Sequence, residues 1–256
     1  MGRMHGERGR LVAGGRAGGL PPSGANDAVP VSAIVPALDE AAGIGSMLRS
    51  LEPLREWGGE VIVVDGGSGD ETVAVARAHA DRVVVAARGR AHQMNAGARH
   101  ARGELLWFLH ADTSVDAQAI AALLAAQNRP ELVWGRFGVR LDSQRPLLRL
   151  TARLMNLRSR LTGIATGDQG VFVQRRVFDE IGGFPEQPLM EDVAISAQLR
   201  ARARPCCLPV GLTTSARRWQ EGGAWRTILL MWRLRFAYWR GVEPTALALR
   251  YQRRRT

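Results

Sequence analysis

Four short runs of consecutive apolar residues within the first 110 positions constrain this chain most. They are "VSAIVPA" (31–37), "EVIVVDGGS" (60–68), "RVVVAA" (82–87) and "ELLWFLH" (104–110). A strand with one wet face alternates apolar and polar residues, whereas a strand buried on both faces does not have to. Helical spacing separates the runs. Ile44, Met47, Leu48 and Leu51 share a helix face, and further helices are expected over about 70–79, 91–102 and 116–127. Buried strands alternating with helices specify an α/β fold: a doubly wound, mostly parallel sheet with helices on both faces. In such sheets ligands bind beyond the carboxyl ends of the strands.

Those ends carry a pattern. The first strand leads into Pro36, Ala37, Leu38, Asp39 and Glu40, and the second into Asp65, Gly66, Gly67 and Ser68. The third leads into Arg88, Gly89 and Arg90, and the fourth into His110, Ala111 and Asp112. One such acid is ordinarily a helix cap. Acids at three strand ends repel one another unless a cation or a ligand's donors come between them. A dinucleotide fingerprint is excluded, because "DGGSGDET" lacks the G-x-G-x-x-G spacing. Its helix also opens with Asp70 and Glu71 where a pyrophosphate should sit. Asp65 is suited to accept a hydrogen bond from a base N–H, with Gly66 and Gly67 admitting a flat ring. Ser68 and Asp70 are N-cap candidates.

Charge sharpens the reading. All 35 basic residues are Arg, which rules out a Gly-Lys-Ser phosphate loop and any Schiff-base mechanism. Residues 1–199 balance 22 Arg with 22 acids, so the net +11 comes from 200–256, where 13 Arg face only Glu221 and Glu243. An anionic partner is expected at that end. Residues 1–29 have no continuous apolar core and read as a disordered Gly/Arg-rich tail rather than a signal peptide. Adjacent Cys206 and Cys207 suggest a reducing, cytoplasmic setting, and no apolar run approaches the ~20 residues of a membrane span.

In the second half, "LVWGRFGVRLD" (132–142) reads as a longer strand. Residues 146–161 form a basic amphipathic helix, with Leu147, Leu150, Leu154, Leu157 and Leu161 opposite Arg145, Arg149, Arg153 and Arg160. Residues 164–202 give loop, strand, short helix, Gly-Gly turn and helix. A last helix, about 224–240, gathers Trp225, Ile228, Leu229, Trp232, Phe236 and Trp239 in one arc. Arg226, Arg233 and Arg240 flank one side of it and Arg235 the other. That arc suits an anionic membrane surface, a buried closing helix or a homodimer contact.

Over about residues 31–219 the chain resembles the family 2 glycosyltransferases. The matching segments are "VSAIVPALDE", "VIVVDGGSGDET", "RGRAHQMNAGARHARGELLWFLHADT", "GVFVQRRVFDEIGGFPE" and "MEDVAISAQLR". More narrowly, "FLHADT", "LTGIATGDQGVF" and "TTSARRW" are similar to a bacterial subgroup labelled arsenosugar-biosynthesis glycosyltransferases. The resemblance implies the nucleotide-sugar-binding GT-A fold over 30–219, followed by a basic amphipathic helix and tail over 220–256. It assigns nucleotide contacts to Pro36, Ala37, Asp39 and Glu40, and the base to Asp65 and Gly66. His110-Ala111-Asp112 stands where the family has D-x-D. His110 then meets the ribose in place of an Asp, and Asp112 holds a divalent cation, Mg²⁺ or Mn²⁺. Arg88 and Arg90 help with phosphate charge, and Arg217, Arg218 and Trp219 form a phosphate clamp. The base falls on Asp192, with Glu191 beside it and Asp168 as second choice. Ser215 stands where processive synthases carry Gln, which implies a single transfer.

The expected activity is inverting transfer from a UDP-sugar to a small or lipid-linked acceptor, at the inner membrane face or free in the cytoplasm. Two alternatives remain open. A sugar-nucleotide nucleotidyltransferase would normally need a catalytic Lys near the first strand. A non-catalytic Arg-rich binding module would not need acids at three strand ends, and no nucleic-acid partner is expected.

Overall fold

The computed structural model describes residues 29–217, 219 and 223–252. The expected N-terminal tail lies outside these residues except for Val29, and Arg218 lies outside them too. In chain order the first elements are β1 (Val31–Ala37), α1 (Ala41–Arg49), α2 (Glu52–Glu56), β2 (Glu60–Asp65), α3 (Thr72–Arg77), β3 (Arg82–Val85), α4 (Arg90–His100) and β4 (Leu105–Phe108). Then come β5 (Thr113–Ser114), α5 (Ala117–Gln127), β6 (Trp134–Asp142), α6 (Pro146–Thr162), β7 (Phe172–Gln174) and α7 (Arg175–Glu180). The last are α8 (Glu191–Arg202), β8 (Cys206–Ser215), α9 (Ala224–Trp239) and α10 (Pro244–Gln252).

The strands form one sheet in the order β3-β2-β1-β4-β7-β6-β8-β5. The first four are parallel, as their apolar runs require. Beyond β4 the sheet is mixed. β7 runs antiparallel to both β4 and β6, β6 and β8 are parallel, and β5 runs antiparallel to β8. This switch matters for the site. An antiparallel β7 begins where β4 ends, with Phe172 opposite Trp107, so the loop before β7 lies at the carboxyl edge. β8 runs with β4, so its last residues reach the same edge.

Alternate residues of each central strand feed two cores. Val31, Ala33 and Val35 join α1, α2, α3 and α5 on one face, while Ile34, Ile62 and Val64 join α4, α7 and α8 on the other. α4 lies so close that a Cβ at Gly97 would sit 2.4 Å from Ile34 Cγ2, which is why its mid-helix glycine is tolerated. A smaller apolar cluster outside the sheet joins Met190, Leu234 and Leu247, so α9 and α10 pack against the start of α8.

The opposite edge is pinned by a buried acid. Glu60 accepts from Ser32 Oγ at 2.6 Å, Arg102 N at 2.5 Å and Arg102 Nε at 3.0 Å. Burial opposes its charge, but these bonds outweigh burial and hold its pKa below the usual glutamate value. A depressed pKa contributes stability above the unfolded value, and that contribution is lost as pH falls through the folded one. Glu60→Gln should therefore cost ~2–4 kcal/mol near neutrality. In urea titrations from pH 7 downward, its deficit against the wild type should shrink in the acid range below the usual glutamate pKa. A deficit independent of pH would mean that the charge plays no part.

Candidate active site

The carboxyl ends of β1 and β2 are stitched together by polar groups. Gln93 of α4, buried, donates its amide to both Ala37 O and Val64 O at 2.8 Å. Asp65 is 2% exposed, and its carboxylate accepts from Gly67 N at 2.8 Å, from Ser68 N and from Ser68 Oγ. The turn thus uses much of the acceptor capacity that was assigned to a base. Asp39 bridges to the same turn: its N–H donates to Ser68 Oγ, and its Oδ1 accepts from Gly69 N at 2.8 Å. Asp70 accepts from Ala41 N and Thr72 N, so one exposed acid serves the first turns of α1 and α3. Pro36 is buried within β1, and Gly66 packs against Gln93. Arg88 is exposed at the end of β3.

A second group gathers around β4. His110 Nδ1 lies 3.2 Å from Asp168 Oδ1, with side chains 14% and 25% exposed. Gly167 N donates to Asp192 Oδ2 at 2.9 Å, and Val193 N to Asp192 Oδ1 at 2.7 Å. Arg90 Nη1 stands 3.8 Å from Glu191 Oε1, within the field of Asp168 and Asp192 as well. Burial, then the charge of Asp192, raises the Glu191 pKa above the usual glutamate value, against the pull of Arg90 and His110. The structure therefore brings Arg90, His110, Asp168, Glu191 and Asp192 into one cluster. Glu191 and Asp192 point to different partners, as ~100° between adjacent helical residues requires.

Asp112 stands half-buried at the same edge, next to Ala111, which is buried. Thr214 Oγ1 donates to its Oδ1 at 3.4 Å, and Ser215 N donates to its carbonyl at 3.2 Å. This β5–β8 pairing carries the chain after β8 to the site, where Arg217 Nη2 lies 3.5 Å from Glu40 Oε2. Trp219 instead packs with Leu141, Leu148 and Ala152, so among the described residues the proposed clamp consists of Arg217.

Four contributors escape a reading of the sequence: Gln93, Gly167, Met190 and the β5–β8 clasp. Gln93 and Gly167 sit inside segments that resemble the family, but only the packing reveals their partners. Met190, just before the two acids, is buried in the left-handed region at φ 67°, a strained setting for a side chain.

Gly167 lies against the imidazole: a Cβ there would stand 2.2 Å from His110 Nε2. Gly167→Ala should force the ring away from Asp168 and destabilise the fold by ~1–3 kcal/mol. The measurement is the His110 ring signals by NMR alongside thermal melts. Unchanged signals with an unchanged melt would show that the ring does not occupy this place.

Comparison with known proteins gives this geometry a family. Residues 32–182 match the family model described as glycosyl transferase family 2. An uncharacterized glycosyltransferase of Mycobacterium tuberculosis (strain ATCC 25618 / H37Rv) is 33% identical over 192 residues, covering 70% of this chain and 71% of that protein. Among solved structures, S. aureus TarS 1-349 in complex with UDP superposes with a TM-score of 0.60 at 19% identity, over 73% of this chain and 60% of that one. The mannosyltransferase PcManGT from Pyrobaculum calidifontis, with GDP-Man and Mn²⁺, gives 0.59 at 23% identity over 86% and 64%. Glucosyl-3-phosphoglycerate synthase from Mycobacterium tuberculosis, with Mn²⁺, UDP and glucosyl-3-phosphoglycerate, gives 0.56 at 21% identity over 73% and 71%. The chain thus spans less than two thirds of the first two structures and shares their GT-A fold. Matched by the family model over more than half its length, with a relative one-third identical across most of both chains, it belongs to glycosyltransferase family 2.

Proposed function

We propose that this glycosyltransferase moves one sugar, with inversion, from a UDP-sugar to a small or lipid-linked acceptor hydroxyl. The observation that carries the reading is the chain of contacts His110–Asp168, Gly167–Asp192 and Glu191–Arg90. It sets an acid at the start of α8 beside the end of β4. UDP or a UDP-sugar in TarS and in glucosyl-3-phosphoglycerate synthase supports uridine, while GDP-Man in PcManGT keeps guanosine as the donor to test against it. The family match leaves the arsenosugar label without independent support.

Asp192 would take the acceptor's proton while the diphosphate departs from the opposite side of the anomeric carbon. The two N–H groups on its carboxylate fix its direction. Glu191 holds Arg90 in place. Asp39, Asp65 and His110 would line the nucleoside, with Arg217 at the diphosphate.

The residues fit a cation of one kind. Among the described residues no three His, Cys, Asp or Glu side chains come together as a metal cage. Asp112 offers one carboxylate, which suits Mg²⁺ or Mn²⁺ completed by phosphate oxygens and water. When bound, such an ion would neutralise charge on the leaving diphosphate. Mn²⁺ or Mg²⁺ accompanies UDP in the synthase structures, in keeping with this.

We also read residues 30–219 as the transferase unit and 220–256 as a segment that seats it on an anionic bilayer, at the inner face in this reading. Among the described residues no helix is long and apolar enough to cross a membrane. Yet Trp225, Leu229, Trp232, Phe236 and Trp239 of α9 are each more than half exposed, beside exposed Arg226, Arg233 and Arg240. That exposure argues against a buried closing helix. On α6, Leu150, Leu154, Leu157 and Leu161 are also exposed. Apolar faces rimmed by arginine complement anionic headgroups.

The test of the reaction is calorimetry followed by turnover. UDP should bind only weakly without Mg²⁺ or Mn²⁺ and tightly with it, and Asp112→Asn should abolish the difference. Asp192→Asn should leave UDP–metal affinity intact and slow transfer by at least ~10²-fold, with product of inverted configuration in the wild type. Transfer at the wild-type rate, or donor binding lost together with transfer, would remove Asp192 from the role of base.

Docking has its own measurement. Vesicles of phosphatidylcholine with phosphatidylglycerol should pull down the protein, and the binding should weaken with salt. Pure phosphatidylcholine should bind poorly, as should Trp232→Ala/Phe236→Ala on either vesicle. Failure to bind anionic vesicles, with a dimer in solution that the same double substitution dissociates, would assign the face to a second copy.

A further inference from the structure

α9 packs against the residue before α8, and α6 and α9 each bring into the field around Asp192 a guanidinium with hydrogen-bonding capacity unused. Arg158 of α6 has its Nε and Nη2 shielded from solvent and without a hydrogen-bond partner, and Arg235 of α9 has its Nε in the same condition. The packing that sets them there is well defined. Leu234, next to Arg235, is buried with Met190, the residue before α8. Asn156, two residues before Arg158, bonds Val139 N and O and meets the Gln169 amide at 3.3 Å. Gln169 belongs to the loop whose Gly167 donates to Asp192.

These charges act on one another. Burial, then the neighbouring charge of Arg235, pushes the Arg158 guanidinium down to about 10, and Asp192 opposes them only in part. Asp192 is itself engaged by two backbone N–H groups. Two repelling, under-bonded guanidiniums do nothing for helix packing that leucine or methionine would not do better. They are well matched to an oxyanion, whose oxygens accept from planar forks of N–H donors.

The geometry points to a phosphate-binding subsite formed by Arg158 and Arg235 beside Asp192, which receives a phosphate group carried by the acceptor. Assignment to the acceptor rests on the function proposed above. The donor's diphosphate belongs at Asp112 and Arg217, while Asp192 addresses the acceptor hydroxyl. The phosphate comes from a soluble ester or from a lipid headgroup. Arg235 shares α9 with the exposed Trp232 and Phe236, which places the subsite next to the proposed bilayer face.

The test uses the full chain saturated with UDP and Mg²⁺, so that the donor site is filled, and titrates inorganic phosphate by calorimetry and thermal melts. The wild type should bind phosphate and gain Tm. Arg158→Met and Arg235→Met should each weaken phosphate binding at least ~10-fold and lose that gain while keeping UDP–Mg²⁺ affinity. Without phosphate each variant should melt no lower than the wild type, because a repelling charge has gone. A purely structural role predicts the reverse, a lower melt with phosphate binding intact, and that result overturns the subsite. So does a UDP-loaded wild type that ignores phosphate. Failure to bind UDP at all would count against the proposed uridine donor instead, and shows in the first titration. Displacement of phosphate by glycerol 3-phosphate identifies a soluble source, and displacement by phosphatidic acid in phosphatidylcholine vesicles identifies a lipid one. If neither displaces it, the acceptor assignment falls.

Discussion

The N–H of Gly167 donates to the carboxylate of Asp192, and the arrangement of the site follows from that contact. It joins two segments 25 residues apart, one from the loop before β7 and one from the start of α8. The loop reaches the carboxyl edge because β7 runs antiparallel to β4. Gly167 has no side chain, so the His110 ring can close over it onto Asp168. A purely parallel continuation of the sheet would have sent this loop to the opposite edge. The mixed half of the sheet therefore has a chemical purpose: it turns the strand that follows α6 around.

The start of α8 is held from its other side by packing. Met190 occupies a left-handed backbone position that usually favours glycine, and its side chain is buried against Leu234 and Leu247. Backbone strain of this kind persists only where the surroundings over-determine it. α9 and α10 provide those surroundings, so the C-terminal helices are part of what fixes the two acids of α8.

How much of this was legible in the sequence depended on whether a signal was local. β1 and β2 announce themselves because every residue is buried, and the acids that end them were visible for the same reason. β8 carries no local strand signature. Pro209 and Gly211 interrupt it, many of its residues are only half-buried, and its register with β6 contains a bulge. The arginines of α6 divided unpredictably as well. Arg149, Arg153 and Arg160 face solvent, while Arg158 falls on the buried stripe of Leu148, Thr151 and Met155, which the more conspicuous but exposed stripe of Leu150, Leu154, Leu157 and Leu161 conceals in the sequence. Asp65 was legible as a strand-end acid, but its bonds to Gly67 and Ser68 depend on a turn whose shape the sequence does not state.

The absence of lysine has a last consequence for α9, the helix with one side packed on Met190 and the other toward solvent. A fully solvated guanidinium keeps its proton across the whole physiological range, so the charge of the outer face is constant with pH. It responds to ionic strength, because counterions screen charges in water. The inner side packs on Met190, the residue before Glu191, whose carboxyl burial pushes above the usual glutamate range. One helix thus separates two solution controls, with salt screening the charges of its outer face and acidity setting the charge of the buried Glu191 behind it.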